Sequence, residues 1–263
     1  MNTYTLYEGD CFKVFSQIPD NSINLIITDP PYNILKFEDI NINGRKAIRN
    51  IDFDQDKLDI KKLCREIFRV LIDGGSFYIF MSDRQIGEYI NELQSEKLIY
   101  SNTLVWYQKS GFPSVRKRAY QSHCQYIAYG HKEVENSDYV FNFKSSPEMR
   151  NLLEFEGCVS FEYDGGSPGE YLGHPTQKPS KLISHLMEIS SNKDDTVLDP
   201  FLGSGTTMFA AQNLRRNCIG IELDNKYVDM AMKRCFHRSF LDRKVKYNLF
   251  RTKTIICAEE EKK

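Results

Sequence analysis

Short apolar runs alternate with stretches of helical periodicity along this chain, which is the pattern of an open α/β sheet with helices on both faces. Three features carry that reading. Ile23-Asn24-Leu25-Ile26-Ile27-Thr28 is compact, branched and bounded by turn residues, as a strand buried on both faces of a parallel sheet should be. Thr196-Val197-Leu198 runs into a glycine-rich turn, Asp199 to Gly205, followed by a helical stretch. Acidic residues stand at the ends of the expected strands: Asp10, Asp29, Asp199 and Glu222. Ligands of such sheets bind at the carboxyl ends of strands, beside the point where strand order reverses, so four acids on one rim predict a single site.

The elements follow in order. Residues 4–10 read as a strand ending at Gly9-Asp10, and Cys11 to Gln17 as a short helix stopped before Pro19. The apolar run 23–28 leads directly into Asp29-Pro30-Pro31-Tyr32. Residues 33–56 read as a long loop rich in Asn and Asp that carries Arg45, Lys46 and Arg49. Lys57 to Leu71 has helical spacing, ended by Asp73-Gly74-Gly75. Ser76 to Met81 is a second buried strand, Arg84 to Lys97 a helix, and Asn102 to Gln108 and Gln125 to Tyr129 two further strands flanking Arg116-Lys117-Arg118. From 131 to 173 the alternation breaks up into aromatics mixed with polar, Gly and Pro residues, which reads as an insertion. The pattern then resumes with a helix over 180–190, the strand 196–198, a helix over 206–214, the strand 218–221 and a helix over 227–240. The chain divides accordingly into a half with the Asp-Pro-Pro-Tyr turn (1–130), the insertion (131–173), a half with the glycine turn (174–250) and an end segment (251–263) expected to fray. Arg215-Arg216, at a helix end, reads as capping and surface charge.

Composition narrows the classes. With 263 residues, 41% of them hydrophobic, the chain can bury one sizeable core. A net charge of -1 excludes a uniformly basic nucleic-acid coat, although a sequence-specific enzyme needs only a local basic surface. The seven cysteines form no C-x-x-C pair and no Cys/His group with zinc spacing, so no metal is expected and reduced thiols in a cytoplasm are. Met1 to Asp10 is polar, without the apolar region of an export signal, and no apolar run approaches membrane-spanning length.

The turn at Gly203-Ser204-Gly205 allows a ligand to approach the backbone closely, and Glu222, at the end of the next strand, is placed to accept hydrogen bonds from ribose hydroxyls. The dinucleotide pattern G-x-G-x-x-G fails at Met208, and a carboxylate at Asp199 would repel a pyrophosphate. Asp199 suits an ammonium instead. S-adenosylmethionine offers an ammonium, a ribose and a sulfonium, with no phosphate.

Asp29-Pro30-Pro31-Tyr32 poses a different chemistry. Two prolines fix the backbone and remove two N–H donors, which leaves the Pro30 carbonyl rigidly aimed. With the Asp29 carboxylate it can accept both protons of an –NH2 group, and Tyr32 offers a face on which a base can stack. An exocyclic amine of a nucleobase is a poor nucleophile because its lone pair is delocalised into the ring. Two acceptors can draw the nitrogen towards tetrahedral geometry, and Asp29 can answer the positive charge that builds on it.

Together the two motifs resemble the amino-methyltransferases that modify DNA at adenine N6 or cytosine N4, with catalytic motif D/N/S-P-P-Y/F/W and cofactor motif D-x-F-x-G-x-G. Here these read Asp29-Pro30-Pro31-Tyr32 and Asp199-Pro200-Phe201-Leu202-Gly203-Ser204-Gly205, the catalytic motif first, as in the circularly permuted β group. His174-Pro175-Thr176-Gln177-Lys178-Pro179 matches that group's H-P-T-Q-K-P segment, and the resemblance runs from about Tyr4 to Phe240. It implies a seven-stranded, mostly parallel Rossmann-like sheet with one antiparallel strand. It implies S-adenosylmethionine as cofactor, contacted by Asp10, by Thr176, Gln177 and Lys178, by Asp199, Phe201, Gly203, Ser204, Gly205 and Thr206, and by Glu222. It places catalysis on Asp29, Pro30 and Tyr32, and target recognition in 131–173.

Aspartate at the first catalytic position favours adenine N6 over cytosine N4, where serine is more frequent. Related RNA adenine methyltransferases share the order but tend to carry tryptophan where Tyr32 stands. The expected substrate is double-stranded DNA with the target base flipped out, since a stacked base cannot reach such a site. Arg45, Lys46, Arg49, Arg116, Lys117 and Arg118 are candidate phosphate contacts. The resemblance also allows a homodimer and a cognate restriction endonuclease as partners.

Overall fold

The computed structural model describes residues 2–32, 40–42, 45–47, 58–112, 120–133, 139–157, 176–236, 245–251 and 254–258. Its main sheet is built from β1 (Asn2–Glu8), β2 (Ile23–Thr28), β5 (Leu71–Met81), β6 (Leu98–Phe112), β7 (Ser122–Lys132), β8 (Leu152–Glu154), β9 (Thr196–Asp199), β10 (Asn217–Glu222), β11 (Val245–Arg251) and β12 (Thr254–Ala258). The short strands β3 (Ile40–Ile42) and β4 (Arg45–Ala47) pair separately as an antiparallel ribbon. The helices are α1 (Cys11–Val14), α2 (Ile60–Val70), α3 (Ile86–Ser95), α4 (Ser180–Ser190), α5 (Thr206–Leu214) and α6 (Asn225–Cys235).

Strand order in the main sheet is β12-β11-β1-β10-β9-β2-β5-β7-β6-β8. The seven strands from β1 to β6 in that order are the expected sheet. All of them run parallel except β7, which is antiparallel to both β5 and β6. Three strands extend it: β8 parallel to β6 at one edge, and β11 parallel to β1 with β12 antiparallel to it at the other.

Alternation along the central strands sorts side chains to two cores. Leu25 and Ile27 of β2, with Tyr78 and Phe80 of β5, face α4, α5 and α6, whose Leu182, Leu186, Met208 and Val228 lie in the same cluster. Ile23 and Ile26, with Phe77, Ile79 and Met81, face α1, α2 and α3 through Val14, Leu63, Ile67 and Tyr89. A strand buried on both faces reads as a near-continuous apolar run, which is why β2 is so plain in the sequence. Helix α2 has the matching stripe, with Ile60, Leu63, Cys64, Ile67 and Val70 buried, and Asp59 caps it by accepting from the Lys62 amide.

Several expectations are corrected. Helix α2 stops at Val70, and Asp73-Gly74-Gly75 lies inside β5 rather than after the helix, with Gly74 at φ 73 where the β2–β5 register shifts. The loop expected over 33–56 contains the ribbon β3–β4. β7 continues to Lys132, so the interval 131–173 begins within a strand, and it also supplies β8. Within the end segment 251–263, residues 254–258 do not fray but form β12, which together with β11 covers the edge that β1 would otherwise expose. Arg216 is not surface charge: it is 7% exposed, and its guanidinium donates to the Ser191 and Leu214 carbonyls and the Ser191 hydroxyl. Arg215 does end α5, in the left-handed conformation.

β6 and β7 approach closely at Gly130, where a Cβ would stand 1.9 Å from the Ile99 carbonyl oxygen and 2.6 Å from the Phe77 ring. Gly130→Ala should therefore lower folding stability by about 1–3 kcal/mol, because backbone on one side must move. A denaturant midpoint unchanged from the parent would contradict this.

Candidate active site

β2 connects through α2 to β5 on one side of the sheet, whereas β9 connects through α5 to β10 on the other. Adjacent parallel strands whose connections diverge open a crevice at their carboxyl ends. Asp29 follows β2 and Asp199 ends β9, so the two acids flank that crevice. β10 and β1 continue the row, with Glu222 ending β10 and Asp10 just beyond β1. The Gly9 amide donates to the Glu222 carbonyl at 2.8 Å and ties the last two together. All four predicted carboxylates thus share one rim.

Asp199 is 4% exposed, and burial pushes its carboxyl up to about 7. Hydrogen bonds from the Thr207 hydroxyl (2.6 Å to Oδ2) and the Phe201 amide (3.1 Å to Oδ1) oppose the shift, while the charge of Asp29 adds to it. Glu222 is also raised by burial, although it accepts from the Gly203 amide at 2.7 Å and the Asp224 amide at 2.8 Å. The glycine turn spends further amides internally: Leu202 donates to the Ile221 carbonyl and Gly205 to the Leu202 carbonyl. A phosphate-binding turn presents such amides to its ligand. This one commits them to the protein and offers carboxylates, which fits a cationic ligand with a ribose and excludes a pyrophosphate cradle. Gly205 has φ 82, and a Cβ there would stand 3.0 Å from that of Ala231 on α6, so the turn lies tight against the helix.

At the other acid, the Tyr32 hydroxyl donates to Asp29 Oδ1 at 2.6 Å, and the Lys178 ammonium donates to Asp29 Oδ2. Lys178 is 6% exposed and lies 5.0 Å from the Phe80 ring centroid and 5.9 Å from that of Tyr32. Pro30 is buried.

Of the other predicted residues, Thr176 and Gln177 lead into α4 beside Lys178, with Gln177 buried. Ser204 and Thr206 are buried at the start of α5, where Thr206 accepts from Arg234 at 2.9 Å. Phe201 is partly buried against the α1–α3 core, and the Asp10 side chain caps α1 by accepting from the Phe12 amide. Arg45 and Lys46 stand on β4, whereas Arg49, Arg116, Lys117 and Arg118 lie outside the described residues, as do His174 and Pro175. Sequence reasoning missed Thr207, which stands in the first turn of α5 and donates its hydroxyl to Asp199. It also missed Phe80, which only the pairing of β5 with β2 brings to the site. No group of three or more His, Cys, Asp or Glu among the described residues could hold a metal ion.

The sheet order and the acidic rim define an S-adenosylmethionine-dependent methyltransferase. The chain belongs to the DNA methylase family of N6- and N4-methyltransferases, whose model matches residues 23–233. It is 32% identical to the type II methyltransferase M.HpaI of Haemophilus parainfluenzae over 241 residues, covering 86% of this chain and 72% of that protein. Among solved structures it is similar to M1.HpyAVI in complex with S-adenosylmethionine, with TM-score 0.64 and 26% identity over 88% of this chain and 99% of that one. The cytosine-N4-specific PvuII DNA methyltransferase shares the fold, with TM-score 0.65 and 21% identity over 92% of this chain and 89% of that one. The protein is accordingly a DNA methyltransferase that uses S-adenosylmethionine.

Proposed function

We propose that this protein methylates adenine N6 at a specific sequence in double-stranded DNA, acting on a base flipped out of the helix. The observation that carries the reading is the placement of Asp29 and Tyr32 at the switch point, across the crevice from the Asp199 turn. When bound, S-adenosylmethionine supplies an electrophilic methyl group on a sulfonium. The Asp199 and Glu222 side are the groups to hold it, through its ammonium and ribose, with Asp10, Thr176, Gln177, Phe201, Gly203, Ser204, Gly205 and Thr206 lining the same end of the sheet. Asp29 and the Pro30 carbonyl accept hydrogen bonds from the two N–H groups of the amine, and Asp29 stabilises the positive charge growing on nitrogen until the one proton released by methylation passes to solvent. Tyr32 orients Asp29 through its hydroxyl and stacks on the base through its ring. Most of the acceleration comes from holding the amine in line with the methyl donor.

Target selection falls to the interval 131–173, whose Tyr139, Phe141 and Phe143 are 42%, 40% and 62% exposed. Arg45 and Lys46 on β4, with Arg49 and Arg116 to Arg118, contact phosphates. The likeness to a type II methyltransferase supports a role opposite a restriction endonuclease of the same specificity.

Digesting DNA from cells that express the protein and identifying the modified nucleoside tests the reading. N6-methyladenine at a fixed sequence is expected. N4-methylcytosine instead would move the target base while leaving the site chemistry intact. Methylation of single-stranded RNA in preference to duplex DNA would overturn the substrate.

A further inference from the structure

Lys178 stands where the proposed chemistry has least use for a cation. Its ammonium donates to Asp29 Oδ2 while Tyr32 occupies Oδ1, so the charge of Asp29 is answered from both sides within the protein. A nitrogen gaining positive charge beside that carboxylate would be opposed by the lysine. Lys178 is also buried, so its ammonium needs a partner wherever it points.

The ligand supplies one. S-adenosylmethionine carries an α-carboxylate besides its two cationic groups. The acids of the rim suit the cations and the ribose hydroxyls, and repel the carboxylate. Among the described residues, Lys178 is the cation that forms an ion pair with a rim carboxylate. It sits in the turn before α4 rather than within the helix, and its four-carbon stem can swing while the backbone stays in place.

We propose that Lys178 is a lock on Asp29 that the cofactor opens: without ligand its ammonium neutralises Asp29, and on binding it transfers to the α-carboxylate of S-adenosylmethionine, which leaves Asp29 to the incoming amine. Lys178 is then a positioning residue for catalysis and couples cofactor binding to activation of the carboxylate. The inference rests on Asp29 being the group that grips the amine.

Its test needs no DNA and no turnover. Calorimetry on the free protein compares S-adenosylmethionine with its decarboxylated analogue, which keeps the sulfonium and the ammonium and lacks the α-carboxylate. The ratio of the two affinities isolates that group. Lys178→Gln should reduce the preference for S-adenosylmethionine by about tenfold or more, and Lys178→Arg should keep most of it. Asp29→Asn should raise the preference severalfold, because Lys178 no longer has to leave a charged partner. That increase should disappear when Asp29→Asn is combined with Lys178→Gln; an increase that persists in the double variant reflects only the loss of a repelling rim charge and overturns the lock. A ratio unaffected by Lys178→Gln, or a ratio unchanged or lowered by Asp29→Asn, overturns the lock. Neither result touches the role of Asp29 in transfer, which is read separately from the rate on DNA.

Discussion

Asp29→Ala is expected to reduce methyl transfer by roughly 100- to 1000-fold while S-adenosylmethionine still binds, since the substitution removes an oriented charge at the atom where positive charge develops. Single-turnover rates on duplex DNA, with cofactor affinity measured in parallel, separate the two effects. The expected pattern is a collapse in the rate of the chemical step with the cofactor complex still formed. Tyr32→Phe keeps the ring and loses the 2.6 Å hydrogen bond to Asp29, so its loss should be smaller than that of Asp29→Ala. An Asp29→Ala enzyme that methylates at close to the parent rate would remove the basis of the mechanism.

How far the site could be foreseen depended on how local its signals are. β2 and β9 were plain because each is a short apolar run leading into an acid, whereas their adjacency is a matter of sheet pairing that no local pattern carries. Helices α4 and α5 run over the residues expected, 180–190 and 206–214, because Pro179 and Gly205 mark their starts and apolar spacing is sustained between their ends. Edge strands were harder. β8 is three residues long, and β11 and β12 pair at the far rim, where the partner strand and not the apolar pattern decides the conformation. At Asp73-Gly74-Gly75 a helix stop and a strand bulge use the same residues, and only the β2 register tells them apart. The contact between Lys178 and Asp29 spans 149 positions, so no spacing rule reaches it. The segment holding Lys178 was legible as a motif, whereas the partner of its ammonium was not.

Asp199 gives the second large effect, and its sign is set by burial. The free protein holds this carboxyl at about 7 against an ordinary value of 3.8, so at neutral pH it is divided between its two forms. A ligand ammonium prefers the carboxylate, and a proton competes for the same place. Affinity for S-adenosylmethionine should therefore rise with pH up to about 7, falling by about tenfold per unit well below that point if one proton is displaced, and decline again where the ligand ammonium itself loses its proton, at about 8. Folding stability of the free protein runs the other way. A carboxyl raised above its unfolded value contributes stability that is fully present below about 4 and is lost as pH rises through about 7. Asp199→Asn removes both dependences. Its amide can still accept from the Phe201 N–H and donate to the Thr207 oxygen, so above pH 7 the variant should melt no lower than the parent while losing most of its affinity for the cofactor. Calorimetric titrations across pH 6 to 8.5, with melting curves on the same samples, read both signs at once. A cofactor affinity that is flat with pH in the parent, or retained in Asp199→Asn, would show that the ammonium is held elsewhere on the rim.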